Sequence, residues 1–259
     1  MLNVTVTGQG PNLVWAHGLM HSMAQETATG WFHPAQGKQI RRIRYDARGH
    51  GRSPGSTTPE EYAWPAQAHD LLAVAAAHSS WPCALGGHSM GAASALLAAL
   101  RAPERASCLV LATPPTAWQT RPAQIRRYRQ MQRIISQRGF ARFLALAEHN
   151  PALPDWLLRA HPEHAHASVQ ALRQMQPDSL MAILEAACNA DLPPPASLQA
   201  LTLPTLILAW ENDPIHPLQT AQTLAQALPN AELRIINSAR QLADWPAHID
   251  AFVTAHSAA

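Results

Sequence analysis

The sequence predicts an α/β protein with a mostly parallel central sheet and helices on both faces. Short apolar runs recur along the chain, turn residues follow each run, and Ala- and Leu-rich stretches long enough for one helix lie between them. Strands that alternate with helices form βαβ units, which build a parallel sheet covered on both sides. Functional sites in such sheets form at the carboxyl ends of the strands.

The strand-like runs come first along each predicted βα unit. They span residues 13–16, 40–45, 83–86, 108–112, 205–210 and 233–236. The first six residues also alternate like a strand, and helical composition is found at residues 66–77 and 91–101. These elements predict a core formed by residues 1–114 and 196–259.

The regular spacing is interrupted once, between the strands that end near Thr113 and start near Thr205. Helical composition recurs there, with prolines between the segments. The helical segments span residues 125–135, 141–149 and 168–175. We expect residues 115–195 to form an all-helical lid, inserted before the strand that carries the acid discussed below.

Composition restricts the class of protein. Of 259 residues, 47% are hydrophobic and 14% are charged, which excludes a disordered chain. The net charge is +2, and the local basic run at residues 126–129 indicates the wet face of a helix rather than a nucleic-acid site. No apolar run approaches the roughly 20 residues that span a bilayer. We expect no nucleic-acid or membrane partner, and the oligomeric state stays open.

The three cysteines have neither metal-binding nor redox spacing. Cys83 and Cys108 begin apolar strand-like runs, where a free thiol behaves as a small buried hydrophobe. This pattern favours a reducing compartment, and the first residues show no signal peptide. We therefore expect a cytoplasmic protein.

The segment Gly87-His88-Ser89-Met90-Gly91 lies between an apolar strand and an Ala-rich helix. In that context a Gly-x-Ser-x-Gly turn holds a nucleophilic serine at the end of the strand. Two backbone N–H groups must then stabilise the oxyanion. We assign them to Met90, which follows the nucleophile, and to Leu19, which follows His17 and Gly18 on an earlier strand–helix loop.

The order of these motifs resembles the α/β-hydrolase superfamily. His17-Gly18 is followed by Asp46-Ala47-Arg48-Gly49-His50-Gly51-Arg52-Ser53, the serine turn, a lid and Trp210-Glu211-Asn212-Asp213-Pro214. The sequence is similar to the small, lid-bearing esterases, enol-lactonases and carbon–carbon bond hydrolases. The resemblance implies that Asp213 is the acid of a catalytic triad, and that His17 and His50 are structural.

The histidine of the family triad is not where the resemblance places it. That histidine should follow the last strand, at Ala239 or Arg240, and neither residue is a histidine. His216 is the best substitute, because it lies on the loop that carries Asp213. Only three positions separate these two residues, so the sequence leaves open whether Asp213 can orient His216 toward Ser89.

Two alternatives follow from the missing histidine. Arg240 could pair with Asp213 in a charge-assisted bond and leave Ser89 unactivated. The protein would then bind a small apolar ligand under the lid, with Trp118, Trp156 and Phe143 as candidate lining residues. A lyase or isomerase of the same fold, in which Ser89 only positions the substrate, is the other alternative.

The intact motifs favour a serine hydrolase that acts on small carboxylic esters or related acyl or lactone substrates. Ser89, Asp213 and His216 would be catalytic, and Leu19 and Met90 would form the oxyanion hole. No cofactor is expected, since the sequence has no phosphate loop or ligand cluster of strict spacing. We interpret His161, His164 and His166 as part of a proline-flanked solvent loop rather than a metal site.

Overall fold

The computed structural model describes residues 1–32 and 39–257, which form a seven-stranded sheet. The strands are β1 (Val4–Thr7), β2 (Asn12–Ala16), β3 (Arg41–Tyr45), β4 (Cys83–His88), β5 (Ala106–Ala112), β6 (Thr205–Trp210) and β7 (Ala231–Ile236). Their order is β1-β3-β2-β4-β5-β6-β7. Only the β1–β3 pair of this sheet is antiparallel. The predicted α/β-hydrolase fold is confirmed.

Eleven α-helices occur in the described ranges. They are α1 (Met23–Ala28), α2 (Trp64–His78), α3 (Met90–Arg101), α4 (Arg121–Arg138), α5 (Phe140–His149), α6 (Asp155–Ala160), α7 (Glu163–Arg173), α8 (Pro177–Cys188), α9 (Leu218–Ala227), α10 (Ala239–Ala243) and α11 (Trp245–Ala255). The sequence pattern missed α8 because Pro177 was interpreted as a break. Proline is compatible with the first helical position, where its missing N–H would have no intrahelical partner.

Both faces of the sheet are buried, and β2 shows how. Leu13 and Trp15 pack on one face with residues of α11, whereas Val14 and Ala16 pack on the other with residues of α2, α3 and α9. Successive side chains of a strand point to opposite faces, so an unbroken apolar run requires cover on both sides. Each strand can therefore present polar groups to a ligand only at its ends.

The helices α4 to α8 lie between β5 and β6 in the chain and have a hydrophobic cluster of their own. Its members include Tyr128, Phe143, Leu172, Leu180 and Ile183. A cavity of 480 Å³ is lined by residues of α4, α5, α6 and α7 together with the loops that follow β2, β4 and β6. The helical segment therefore forms one wall of the cavity, and the carboxyl edge of the sheet forms another.

All three cysteines are buried and unpaired. Burial raises the pKa of the Cys83 thiol to about 11, which makes this thiol a poor nucleophile. None of the helices in residues 1–32 and 39–257 is long and apolar enough to cross a membrane.

Candidate active site

Ser89 lies on a sharp turn between β4 and α3. Its backbone has φ 53° and ψ −111°, a left-handed conformation that is strained for a residue other than glycine. The Ser89 N–H donates to the carbonyl of Ala112 on β5 at 2.9 Å, which secures the turn to the sheet. The turn directs the Ser89 side chain into the wall of the cavity.

The two glycines of this turn are required by close packing. A Cβ at Gly91 would lie 1.9 Å from the carbonyl oxygen of Ala16, and a Cβ at Gly87 would lie 2.3 Å from the carbonyl carbon of Gly91. Backbone atoms at these distances cannot be accommodated by a side-chain movement. Helix α3 can therefore approach β2 only if both positions are glycine.

A series of hydrogen bonds joins three side chains at this edge of the sheet. Nε2 of His216 is 2.9 Å from Oγ of Ser89, and Nδ1 of His216 is 2.8 Å from Oδ2 of Asp213. The Asp213 side chain is 1% exposed and that of His216 is 14% exposed. The structure thus brings together the three residues that the sequence analysis named as catalytic.

Asp213 can bind the ring of His216, only three positions away, because the Asp213 side chain also folds the loop between them. Its Oδ1 accepts the N–H groups of Ile215 at 2.8 Å and His216 at 3.0 Å. An aspartate that binds the backbone two and three residues ahead closes a tight turn. The turn returns the His216 ring to the other carboxylate oxygen, so one side chain both forms the loop and orients the ring.

The surroundings of Asp213 keep its carboxyl ionised, and this determines which ring nitrogen of His216 faces it with a proton. Burial would raise the pKa of the Asp213 carboxyl, but His216 and the hydrogen bonds from Ile215 and His216 outweigh it and lower the pKa below its usual value. An ionised carboxylate only accepts hydrogen bonds, so Nδ1 of His216 carries a proton toward it. In a neutral ring with its proton on Nδ1, Nε2 accepts the hydroxyl of Ser89.

The loop after β2 brings backbone groups to the cavity, in addition to the side chains described above. Gly18 and Leu19 line the cavity, and a Cβ at Gly18 would lie 3.1 Å from the ring of His88. Met90, the first residue of α3, has a backbone N–H without an intrahelical acceptor. Within the described ranges, no backbone hydrogen bond uses the N–H of Leu19 or Met90. Of the two residues, Leu19 lines the cavity, whereas Met90 is buried at the start of α3 behind Ser89.

His17 and His50 hold this loop against the loop after β3. Nε2 of His17 accepts the N–H of Ala47 at 2.9 Å, and Nε2 of His50 accepts the N–H of Met20 at 3.1 Å. Burial lowers the pKa of His50 to about 4 and that of His17 well below its usual value. Both rings are therefore neutral and link the two loops, and their structural role stays a prediction from the resemblance.

A further buried histidine, His88, lies beside the Ser89–His216 pair. The His88 ring stacks on Trp31 at 4.8 Å and lies 5.8 Å from the ring of His216. Nδ1 of His88 is 3.9 Å from Oε1 of Glu26. The rings of His88 and His216 are neighbours, and no described hydrogen bond joins them. Single-sequence patterns carry no signal for Glu26, because α1 follows β2 without a recognisable motif.

The structure does not bring Arg240 to the site. Arg240 is exposed on α10 and does not line the cavity, and no described ion pair joins it to Asp213. Of the aromatic residues proposed to line a pocket, Phe143 does so. Trp118 and Trp156 lie outside the cavity lining, and the Trp156 indole donates to the Glu211 carbonyl at 3.2 Å.

We expected His161, His164 and His166 to lie in a solvent loop. His161 does lie between α6 and α7, but His164 and His166 lie within α7, which begins at Glu163. Potential ligand atoms of His161, Glu163 and His164 lie within 4.8 Å of one another. Nδ1 of His161 is already 2.9 Å from Oε1 of Glu163, and the two histidine rings are stacked. His166 is outside this group, and the absence of a metal site stays a prediction.

Comparison with known proteins agrees with this fold. The profile of a hydrolase family described as "Serine aminopeptidase, S33" matches residues 11–240. The "Putative carbamate hydrolase RutD" of Stutzerimonas stutzeri (strain A1501) is 28% identical over 206 residues, covering 79% of this chain and 76% of the relative. A thermophilic esterase from Thermogutta terrifontis has a TM-score of 0.77 at 23% identity, over 96% of this chain and 90% of the esterase. The enol-lactonase from Burkholderia xenovorans LB400 has a TM-score of 0.77 at 19% identity, over 98% and 96% of the two chains.

Proposed function

This chain belongs to the serine aminopeptidase S33 family of α/β hydrolases, and from that premise we propose that it is a serine hydrolase of carboxylic esters or related acyl or lactone substrates. The observation that carries the proposal is the hydrogen-bonded series from Asp213 through His216 to Ser89. A hydroxyl within reach of an oriented neutral imidazole is the arrangement that nucleophilic acyl transfer requires.

In the first half of the reaction, Ser89 Oγ attacks the acyl carbonyl while Nε2 of His216 takes the hydroxyl proton. The imidazolium that forms is stabilised by the ionised Asp213. His216 then donates this proton to the leaving alcohol or amine. The products of this half are the acyl-Ser89 ester and the free leaving group.

In the second half, water replaces the leaving group. His216 takes a proton from the water, the hydroxide attacks the acyl-Ser89 carbonyl, and the proton returns to Ser89 Oγ as the acid product leaves. The backbone N–H groups of Leu19 and Met90 would bind the oxyanion in both halves, each lowering the barrier by about 3 kcal/mol.

The cavity supports a small substrate with an apolar body. Its lining is rich in aliphatic and aromatic side chains from the helical segment. We take residues 115–195 as the lid of the active site, inserted into a core of residues 1–114 and 196–259. Such a lid excludes water from the acyl intermediate and selects substrates by shape.

The alternative of an unactivated Ser89 depended on an Arg240–Asp213 pair, and that pair is absent from the described contacts. A carbamate is a second candidate substrate, because relatives named as carbamate hydrolases match most of the chain. Carbamate cleavage would use the same nucleophile, base and oxyanion donors.

A fluorophosphonate probe tests the proposed nucleophile. The wild-type chain should be labelled at Ser89, as located by peptide mass spectrometry, and Ser89→Ala should not be labelled. Ser168 is a matched control, because it lines the same cavity while its hydroxyl donates to the His164 carbonyl at 3.0 Å. Labelling should persist in Ser168→Ala. An unlabelled wild-type chain at high probe concentration would contradict the proposal.

A further inference from the structure

The charge of the cavity is carried by one residue. Among the described residues that line it, Arg127 of α4 is the only aspartate, glutamate, lysine or arginine. No acidic side chain lines the cavity to neutralise it. A cavity that is otherwise apolar and neutral therefore has a single fixed positive charge.

The histidines that line the cavity beside the proposed base add no positive charge at neutral pH. Burial lowers the pKa of His21 to about 3 and that of His88 well below its usual value. Burial also lowers the pKa of His164, with the nearby His161 acting in the same direction. These rings can donate or accept hydrogen bonds as neutral groups.

The Arg127 guanidinium contacts the loop that carries Asp213 and His216. Its Nη1 donates to the carbonyl of Pro214, which lies between Asp213 and His216 in the acid loop. The residue is exposed, so its side chain lies where the cavity opens to solvent. A guanidinium has five N–H donors in a fork, and this contact occupies one.

The two neighbouring arginines of α4, Arg126 and Arg129, do not present a free charge to the cavity. Arg129 is paired with Glu185, whereas Arg126 is exposed and does not line the cavity. No ion pair of the described residues includes Arg127. Arg127 is thus a cation at the cavity opening with unused donors and without an internal carboxylate.

We infer that Arg127 forms an anion subsite, and that the favoured substrates are esters or lactones bearing a carboxylate a few bonds from the scissile acyl group. This inference rests on the proposed ester hydrolysis. The substrate carboxylate would accept hydrogen bonds from the free side of the guanidinium fork. Its apolar chain would lie along the cavity, with the acyl carbonyl at Ser89.

Matched substrates isolate the subsite. We would compare mono-p-nitrophenyl esters of succinate, adipate and suberate with the same esters whose free carboxylate is methylated. The measured quantity is the ratio of kcat/KM for the acid to kcat/KM for its methyl ester. At least one chain length should show a ratio that falls about tenfold in Arg127→Gln, since a partly exposed charge-assisted hydrogen bond contributes modestly.

Arg126→Gln is the control, because it removes the same charge from the same helix outside the cavity lining, and its ratio should match that of the wild type. A ratio unchanged by Arg127→Gln at all three chain lengths would overturn the inference, even if both esters were hydrolysed more slowly.

A binding measurement separates failure of the subsite from failure of the proposed function. Trp31 and Trp210 line the cavity, so their fluorescence can report ligand entry in the non-reactive Ser89→Ala variant. Monomethyl adipate should bind about tenfold more tightly than dimethyl adipate, and Arg127→Gln should abolish this preference. Equal binding of the two esters contradicts the subsite. Preferential binding to a chain that neither turns over esters nor reacts with the fluorophosphonate contradicts only the hydrolase mechanism.

Discussion

The loops that follow β6 and β7 are neighbours at the carboxyl edge of the sheet, yet they differ in what they carry. The first, residues 211–217, contains both a buried carboxylate and the imidazole that it orients. The second, residues 237–238, is only two residues long before α10 begins at Ala239. In the resembling family the acid and the histidine are divided between these two loops.

The difference shows what a short loop needs in order to hold both groups. Asp213 uses one carboxylate oxygen to close the turn and the other to orient His216. The loop after β7 instead supports its neighbour, since Asn237 donates to the Glu211 carboxylate at 3.2 Å. The absence of a histidine after β7 therefore does not mean that Ser89 lacks an imidazole partner. The loop after β6 supplies one, because it bends back on Asp213.

The largest predicted effect comes from removing the imidazole of the first loop. His216→Ala should lower kcat for p-nitrophenyl butyrate by about five orders of magnitude, since the base and nucleophile act as a unit. Arg240→Ala, on α10 directly after the second loop, should leave kcat near the wild-type value, because Arg240 is exposed and outside the cavity lining. We would measure kcat for p-nitrophenyl butyrate in steady-state assays of both variants and of the wild type.

Comparable losses in His216→Ala and Arg240→Ala would contradict the division between the loops. The double variant His216→Ala/Arg240→His sharpens the same comparison. Recovery of activity in that variant would show that a histidine at position 240, at the start of α10, can still reach Ser89.

A smaller loss is expected when the acid becomes its amide. In Asp213→Asn the side-chain oxygen can still accept the N–H groups of Ile215 and His216, so the loop should stay folded. The amide NH₂ would then face Nδ1 of His216 and favour the wrong tautomer. We expect kcat to fall by about four orders of magnitude. A thermal midpoint near that of the wild type would show that the loss is chemical, and an unchanged kcat would remove Asp213 from the mechanism.

The smallest effect concerns a histidine that supports the loops without facing Ser89. The folded pKa of His50 is about 4, below its ordinary value of 6.5, so the unfolded chain binds a proton first as the pH falls. The stability contributed by neutral His50 is complete above about pH 6.5 and is lost toward pH 4, amounting to about 3 kcal/mol.

Calorimetry at about pH 7 and pH 5 tests this expectation. The fall in thermal midpoint between the two pH values should be smaller in His50→Gln than in the wild type. The exposed histidine variant His149→Gln should retain the wild-type fall. An equal fall in all three proteins would contradict a buried neutral His50.

Local patterns were enough to identify the fold and the turn that holds Ser89, the candidate nucleophile. The strand runs and the glycines around Ser89 follow from sheet burial and from close backbone packing, which act through neighbouring residues. The resemblance to the α/β hydrolases named Asp213 as the candidate acid, because it follows the strand after the helical segment. The buried contact between Glu26 and His88 was not predicted, because it depends on two residues that are far apart in the chain.

The sequence by itself therefore determined the α/β-hydrolase fold, the turn that presents Ser89 and the loop that carries Asp213. It named His216 as a candidate but could not decide between His216 and a vacant place at Arg240. Only the tertiary structure decided which ring meets Ser89, since this depends on how the two oxygens of one buried carboxylate divide their hydrogen bonds. That division is a matter of backbone angles and distances within ångströms, which residue types and spacing do not specify.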